Sequence, residues 1–344
     1  MARRENQQAS AANHKSADPL LKPILPINMQ SDRMMFLDLH PLEVARQMTL
    51  VEFNLYKKIQ ACELHHSAWT KGRAPNVQAI TERFNKVCFW VATEIITTED
   101  HATRIEVLSR FIQVALYLRS MNNFHGVMEI YASLNLGCVQ RLKSTWRDVD
   151  KKYISKLKEI EVMFDTSSNY KNYRDRLDVI EPPLIPFQGV FLADLTFIEE
   201  VPSHLKTGQV NFEKMHLVSK VISEVERYQK TPYKFYPVVP IEEYLENVTT
   251  LPEKELYDVA KKCELSAQAA EKEETGSVRL RGTTIGSLRR KERKRPGLDE
   301  WMPQSFLHGE KQLKELEKQE KKLQRSISFR VQQKGRNRSS TYSG

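Results

Sequence analysis

The sequence predicts an all-α fold, with a single large helical domain over about residues 36–265 and a disordered arm on either side. Three observations support this prediction. Apolar residues recur at steps of three and four through this stretch, which is the period of amphipathic helices. Strand-like alternation and internal repeats are almost absent. Glycine is also scarce, with only 12 residues in 344, which argues against many-turned β folds and glycine-rich phosphate loops.

The apolar faces predict the helices in chain order. Helical patterns cover residues 40–60, 76–96, 104–119, 123–134, 150–164 and 170–180. Pro182, Pro183 and Pro186 then interrupt the pattern, because proline lacks the amide hydrogen and restricts the residue before it. A short apolar segment at 189–200, an amphipathic helix at 211–229 and a last helical stretch within 240–265 follow. In 211–229 the residues predicted to face the core are Phe212, Met215, Val218, Ile222 and Val225.

The two ends of the chain differ in composition from the periodic region. Residues 1–35 are polar and lack a sustained period, so we predict a mostly disordered arm. Residues 266–344 are predicted to form a largely disordered basic tail. Residues 276–344 hold 18 Lys and Arg against 7 Asp and Glu, whereas the rest of the chain holds 35 against 37. The alkaline pI therefore belongs to the tail, and charge does not support nucleic-acid binding by the helical region.

No motif for covalent chemistry or metal binding stands out. The sequence lacks a phosphate-cradling glycine loop, a nucleophile elbow and an HExxH helix. The four cysteines form no CxxC pair and are interpreted as reduced thiols of an intracellular protein, and no apolar run reaches the length of a membrane span. Cys62, His65 and His66 are the nearest approach to a metal site, which we disfavour because adjacent histidines on a helix point in different directions. We therefore expect no metal and no cofactor, and a binding protein rather than an enzyme.

Six segments, in the same order along the chain, resemble the catalytic domain of Ras guanine-nucleotide exchange factors, with Son of sevenless as a similar member. They lie at 37–64, 82–95, 122–146, 167–174, 181–200 and 210–233. They include ERFNKVCFWVATEI, NNFHGVMEIYASLNLGCVQRLKSTW and EPPLIPFQGVFLADLTFIEE. The resemblance implies an all-helical domain with a protruding helical hairpin. Such a domain stabilises the nucleotide-free state of a Ras-family small GTPase and makes no covalent bond.

The resemblance also implies which residues act. In this family the hairpin inserts beside the nucleotide and displaces switch I, while the domain core binds switch II. The first arm of the hairpin is Asp194–Glu200, and Glu200 matches the carboxylate that repels the phosphate. Either Thr196 or Phe197 matches the apolar group that excludes Mg²⁺. The choice between them stays open, because Son of sevenless has a leucine at the position of Thr196. Ala193 replaces a more usual threonine. The GTPase contacts predicted on the same arm are Asp194 and Glu199.

Further predicted contacts lie outside this arm. Asn135 matches the family's asparagine that braces the hairpin and touches switch II. Arg141 and the pair Asn169 and Tyr170 match positions on or beside the switch II surface. Phe187 matches the aromatic residue at the base of the hairpin. The structural alternatives are that Asn135 caps a helix start and that Glu200 ends a solvated helix. The aromatic residues predicted to belong to the core rather than to a contact are Trp90, Phe84, Trp146 and Phe124.

The target GTPase and the tail are predicted from weaker signals. FIEE resembles factors that act on Ras, whereas EPPLIPF and NFEKM resemble factors directed at Rap, so we favour Ras with Rap as the alternative. The basic tail predicts a cytoplasmic protein that is recruited to anionic membranes. Each basic residue near such a membrane contributes about 1 kcal/mol of binding free energy. RSISF at 325–329 is a candidate phosphorylation site. The alternative is that the tail only maintains solubility or directs the chain to the nucleus.

Two rival classes remain. The first is a scaffold that binds a small GTPase without releasing its nucleotide, suggested by Thr196 and Ala193. The second is a protein whose basic tail binds membrane or nucleic acid and whose helical domain has only a structural role. In the family a helical exchanger-motif domain commonly precedes the catalytic domain and supports the hairpin. Residues 1–35 are too short for it, so we expect either a fragment or isoform, or a hairpin held in another way.

Overall fold

The computed structural model describes residues 22–26 and 34–265 and shows an α-helical domain. Within these residues the regular structure consists of α-helices and short 3-10 turns, together with two isolated β-bridges. The predicted all-α class is confirmed. The predictions for the tail at 266–344 and for most of the arm at 1–35 lie outside the described residues.

The helices agree with the predicted periodicity to within a few residues. They are α1 (Pro41–Tyr56), α2 (Pro75–Thr97), α3 (His101–Ser120), α4 (Phe124–Leu134), α5 (Gly137–Gln140), α6 (Lys143–Asp148), α7 (Lys151–Met163), α8 (Lys171–Val179), α9 (Gln188–Glu199), α10 (Phe212–Gln229), α11 (Val239–Glu246) and α12 (253–265). Turns of 3-10 helix lie at Phe36–Asp38, Ala61–Leu64 and Ala68–Lys71. Periodicity does not predict α5 and α6, because each is too short to repeat an apolar face.

Helices α1 to α4 pack on one another and enclose most of the apolar core. Trp90 lies edge-on to Phe36 and Phe111, with ring centroids 5.7 and 5.2 Å away. Phe36 and Phe111 stack at 4.0 Å. Such aromatic pairs contribute about 0.5–1.5 kcal/mol beyond the burial of their area. The aromatic residues predicted to be core do belong to it: Trp90, Trp146 and Phe124 are buried, and Phe84 is partly buried and packs against the core.

A short part of the predicted N-terminal arm packs on α1. The buried Glu43 carboxylate accepts hydrogen bonds from the Ile24 amide at 3.0 Å and from Arg46 at 3.1 Å. Arg46 also donates to the Lys22 carbonyl at 2.9 Å. A buried carboxylate needs such partners, and the backbone of the arm supplies one of them. The folded region therefore includes residues 22–26, which precede the predicted domain boundary.

A cluster of buried polar side chains joins α1, α2 and α4 inside the core. Asn123 donates to Glu52 Oε2 at 2.6 Å. Burial raises the pKa of Glu52, and burial together with the neighbouring Glu52 carboxyl raises the pKa of Glu129 well above its usual range. Two adjacent carboxylates are costly to keep ionised in the core, so the pair retains a proton. Burial lowers the pKa of His125 to about 3, and the Arg83 guanidinium adds to this effect, so the imidazole is neutral.

The segment between α8 and α9 attaches to the amino-terminal end of α4. The Ile185 amide donates to the Asn122 carbonyl at 3.1 Å, and the Ile185 carbonyl accepts from the Phe124 amide at 2.8 Å. The second bond satisfies one of the free amide donors at the start of α4. Leu184 and Ile185 are buried, and the Pro182–Pro183 peptide bond is cis. This attachment places the beginning of α9 against the core.

Candidate functional site

Helices α9 and α10 form a hairpin that is anchored at one end and exposed at the other. At the anchored end of α10, Tyr56 donates from its hydroxyl to the Val225 carbonyl at 3.1 Å. Gln229 donates to the carbonyls of Tyr56 and Ile59 at 3.0 and 2.9 Å. At the other end Phe212, the first residue of α10, is 79% exposed. The predicted protruding hairpin is therefore present.

Exposed apolar side chains gather at the free end of the hairpin. These residues are Phe197, Val201, Leu205, Val210, Phe212 and Leu217. The prediction that Phe212 faces the core is wrong, because α10 begins at this residue, beyond the part of the helix that the core covers. Val218 and Val225, further along α10, are buried as predicted. Apolar side chains grouped on a surface in this way typically mark a binding site.

The last turn of α9 carries the residues predicted to act on the nucleotide. Phe197 is 66% exposed, and Glu200, which ends the helix, is also exposed. Residues three apart on a helix share a face, so the ring and the carboxylate lie next to each other. Thr196 is exposed too, but its hydroxyl donates to the Leu192 carbonyl at 2.8 Å. Of the two predicted apolar groups, Phe197 therefore offers the larger free surface.

The carboxylate of Glu199, one residue before Glu200, is bonded to two side chains of the same domain. Its Oε2 lies 3.0 Å from Lys214 Nζ, and its Oε1 lies 2.9 Å from His66 Nδ1. Partial burial opposes the ionisation of Glu199, but the hydrogen bonds from His66 and Lys214 outweigh it, so the pKa of the carboxyl lies below its ordinary value. In this structure Glu199 supports the hairpin, whereas the sequence predicted a contact with a GTPase.

Asp194, in the middle of α9, is held by Arg174 of α8. The two terminal nitrogens of Arg174 each donate to one carboxylate oxygen at 2.8 Å, which is the strong bidentate arrangement. Arg174 Nε also donates to the Asn169 carbonyl at 2.8 Å. Ser168, Asn169 and Tyr170 have left-handed φ angles of 52°, 57° and 58°, which are uncommon outside glycine. Arg174 thus ties this turn, predicted to contact switch II, to the hairpin.

Sequence reasoning did not single out Arg174. It lies in the SSNYKNYR segment that carries part of the family resemblance, so its neighbourhood was marked. A single sequence, however, does not show which acidic residue of another helix an arginine will meet.

Phe187 lies at the base of the hairpin, as predicted. Its backbone precedes α9, and its amide donates to the Tyr173 hydroxyl at 2.7 Å. Its ring lies 6.0 Å from the Phe84 ring and 6.3 Å from the Phe164 ring. A Cβ at Gly189 would lie only 2.5 Å from the Phe187 ring. Glycine at this position therefore lets the aromatic ring fold over the start of the helix.

Asn135 and Arg141 lie on the connection between α4 and α6. Asn135 ends α4, and its side-chain amide donates to the Tyr131 carbonyl at 2.9 Å. The alternative that Asn135 caps a helix start is therefore wrong. Asn123 takes that role at the opposite end of α4, where its Oδ1 accepts from the Gly126 amide at 3.0 Å. Arg141 ends α5 and is exposed. Within the described residues, no hydrogen bond joins Asn135 to the hairpin.

The described part of the chain contains no set of side chains arranged as metal ligands. Over residues 22–26 and 34–265, no group of three or more His, Cys, Asp or Glu side chains is placed to hold a metal ion. His66, one of the disfavoured candidates, is bonded to Glu199 instead. Over the same residues, none of the helices combines the length and the apolar character needed to cross a membrane.

Comparison with the sequences of known proteins identifies the family of this domain. The sequence profile of the RasGEF domain matches residues 43–216, about half of the chain, and this range contains every site residue predicted from the sequence. The chain belongs to the RasGEF domain family.

Individual relatives share this region. The chain is 42% identical over 226 residues to Ras guanine nucleotide exchange factor Q of Dictyostelium discoideum, covering 64% of this chain and 17% of that protein. It is 37% identical over 244 residues to Ras guanine nucleotide exchange factor M of the same organism, with coverages of 68% and 26%. It is 35% identical over 226 residues to Ras-specific guanine nucleotide-releasing factor 1 of Mus musculus, with coverages of 64% and 18%. The aligned region thus spans about a quarter or less of each of these relatives.

Proposed function

We propose that this chain promotes GDP release from a Ras-family small GTPase, with Ras favoured over Rap, and so activates signalling by that GTPase. The observation that carries the proposal is the division of roles along α9. Asp194 and Glu199 are held by partners within the domain, whereas Phe197 and Glu200 are exposed at the free end. The last turn of α9 therefore presents the Phe197 ring and the Glu200 carboxylate to a partner.

These two groups suit the displacement of a bound nucleotide. A GTPase holds the phosphates of GDP with positive charge, hydrogen-bond donors and Mg²⁺. A carboxylate at the phosphate site repels phosphate and competes for the same donors, which is the role of Glu200. Mg²⁺ requires oxygen ligands and gives up its waters reluctantly, so the Phe197 ring offers it nothing to bind. Both interactions favour the nucleotide-free state, and the equilibrium shifts toward release.

The second part of the proposal concerns the surface that receives switch II. Arg141 and Asn169 are exposed, and Tyr170 is half-buried. Arg174 links the turn that contains Asn169 to Asp194 of the hairpin. A partner bound at this turn therefore meets a hairpin already in place, which lowers the entropic cost of ordering it on binding.

The test is release of fluorescent GDP from purified Ras, Rap and Ral, with and without the full chain. We expect release from Ras to accelerate many-fold. Glu200→Ala should reduce the accelerated rate by about ten-fold or more, equivalent to about 1.4 kcal/mol. Glu226→Ala is the matched control, because Glu226 is an exposed glutamate of the same hairpin at its anchored end. No acceleration of any of the three GTPases would overturn the proposal.

The same assay separates exchange from scaffolding. If one GTPase binds the chain but keeps its nucleotide at the uncatalysed rate, the chain is a scaffold. Asn135→Ala adds a second test, because the family resemblance places Asn135 beside both the hairpin and switch II. Asn135→Ala should slow GDP release. The unfolding transition should change little, because the Asn135 side chain donates to the Tyr131 carbonyl of its own helix.

We also propose a cytoplasmic protein that is recruited to anionic membranes by residues 276–344. The support is the charge of this segment, 18 Lys and Arg against 7 Asp and Glu. Co-sedimentation with vesicles that contain phosphatidylserine, compared with neutral vesicles, tests it. The full chain should bind the anionic vesicles and release them as salt is raised. Equal binding by a variant truncated at residue 275 would contradict the role of the tail.

A further inference from the structure

The turn between the 3-10 segments at Ala61–Leu64 and Ala68–Lys71 meets the end of α9 through one side chain. His66 Nδ1 lies 2.9 Å from Glu199 Oε1, although the two residues are 133 positions apart. An ionised carboxylate only accepts hydrogen bonds. His66 therefore donates from Nδ1, either as a neutral imidazole or as an imidazolium.

His66 reaches Glu199 from a strained backbone. His66 and Ser67 have left-handed φ angles of 54° and 50°. This conformation costs a non-glycine residue roughly 1–2 kcal/mol. Two side-chain hydrogen bonds help to hold the turn: Lys71 Nζ donates to the His66 carbonyl at 2.8 Å, and the Thr70 hydroxyl donates to the Ser67 carbonyl at 2.9 Å. The surrounding contacts thus maintain a costly turn that delivers this side chain to the hairpin.

On its other side Glu199 is bonded to Lys214 of α10. The Lys214 ammonium lies 3.0 Å from the carboxylate, 3.3 Å from the Glu199 carbonyl and 3.2 Å from the Ser203 hydroxyl, which occupies its three N–H donors. Lys214 is only 3% exposed, and lysine is buried to this degree only when it is paired. Removal of His66 would leave this arrangement within the hairpin intact. It would remove only the link between the hairpin and the turn.

We infer that His66 is a positioning residue that acts through Glu199 and fixes the end of α9 so that Glu200 and Phe197 face the GTPase. This inference rests on the proposed exchange function. Successive residues are about 100° apart around a helix axis, so retaining Glu199 against the domain turns Glu200 away from it. Without the link, the last turn of α9 can rotate or fray, and the carboxylate loses its defined place.

The experiment compares GDP release by the full chain as wild type, His66→Ala and His66→Asn, all at the same pH. Asparagine is the matched control, because it tolerates the left-handed conformation and offers a side-chain N–H donor. His66→Ala should lower the accelerated rate by about two- to five-fold, the effect of a partly exposed polar pair. His66→Asn should retain more of the rate than His66→Ala, because its amide still offers a donor to Glu199.

Two results would overturn the inference. The first is equal release by wild type and His66→Ala. The second is faster release by His66→Ala, which would show that the link restrains the hairpin instead of presenting it.

A second measurement keeps the inference testable if the chain releases no nucleotide at all. Deuterium uptake by the backbone amides of residues 196–201 reports the order of the hairpin end without any GTPase. At one pH, uptake there should be faster in His66→Ala than in wild type, while uptake in α1 to α4 should be unchanged. Unchanged uptake at 196–201 would overturn the positioning role. Failure of exchange alone would instead overturn the proposed function.

Discussion

The core cluster and the hairpin both depend on polar side chains, but they use them in opposite ways. In the core, Glu52 and Glu129 are fully buried and retain a proton between them, and Glu52 accepts a hydrogen bond from Asn123. At the hairpin, Asp194 and Glu199 are partly exposed, and each is paired with a basic side chain. The core cluster is thus closed to solvent, whereas the hairpin pairs lie beside a surface that a partner can reach.

This difference teaches where a substitution should act. A buried polar group that loses its partner costs about 1–3 kcal/mol, whereas an exposed ion pair is worth about 0–1 kcal/mol. Changes in the core cluster should therefore lower stability, and changes at the hairpin should lower activity with little loss of stability. The two regions also touch, because the segment that leads into α9 binds the start of α4 next to Asn123. Four substitutions test the contrast, ordered by their expected effect on the free energy of unfolding.

Asn123→Ala should destabilise the domain most, by about 2–4 kcal/mol. The asparagine caps α4 through the Gly126 amide and donates to Glu52 at 2.6 Å and to Thr49 at 3.0 Å. Urea unfolding measures the change. Asn135→Ala, at the other end of the same helix, is the matched control and should cost less than about 1 kcal/mol. Equal losses from the two asparagines would show that the buried bonds of Asn123 to Glu52 and Thr49 add nothing to stability.

Glu129→Gln should change the pH dependence of stability. Burial and the Glu52 carboxyl raise the pKa of Glu129 well above its ordinary value of 4.5. Between the ordinary and the raised pKa the folded state binds more protons than the unfolded state, so wild-type stability falls as pH rises. Glutamine does not titrate, so the variant should gain stability relative to wild type between about pH 5 and 8, by up to about 1.4 kcal/mol per pH unit.

Thermal unfolding of both proteins across this range checks the slope. Wild type and Glu129→Gln both retain His125, whose lowered pKa has the opposite effect, with stability lost as pH falls below the ordinary histidine range. That contribution is shared and largely cancels from the difference. A difference that does not vary with pH would show that Glu129 is ionised in the folded protein.

Arg174→Lys should cost about 1 kcal/mol or less in stability but slow GDP release several-fold. Lysine keeps the charge but lacks the planar guanidinium, whose three separate nitrogens bind the two Asp194 oxygens and the Asn169 carbonyl. Release assays and urea unfolding give the two values. Arg227→Lys is the control, because its contact with Glu181 is exposed and long at 3.5 Å, and it should change neither value. A large loss of stability with normal release would place Arg174 among the structural residues.

Phe197→Ala should have the smallest effect on stability, within about 0.5 kcal/mol, because the ring is 66% exposed. GDP release should nevertheless fall clearly, since the ring is the free apolar group beside Glu200. Val179→Ala, which removes an exposed apolar side chain at the end of α8, should leave release unchanged. Normal release by Phe197→Ala would leave Thr196 as the remaining candidate from the sequence.

Much of the fold and part of the site could be predicted from the sequence. Helices α2, α3, α4, α7 and α10 agree with the predicted ranges to within a few residues, because long amphipathic helices repeat their apolar faces several times. The family resemblance located the hairpin arm and the aromatic residue at its base. Short helices such as α5 and α6 were missed, and Phe212 was placed in the core, since periodicity does not show where a helix leaves the core.

The amino-acid sequence by itself determined the helical class, the helix positions and the family, because these follow from local patterns and from segments in a shared order. Only the tertiary structure decided how α9 is held, since Arg174 and Asp194 belong to different helices and His66 reaches Glu199 across 133 positions. It also decided which of two adjacent glutamates is free. Neighbours on a helix point about 100° apart, so the packing of α9 against the rest of the domain determines which one a partner meets.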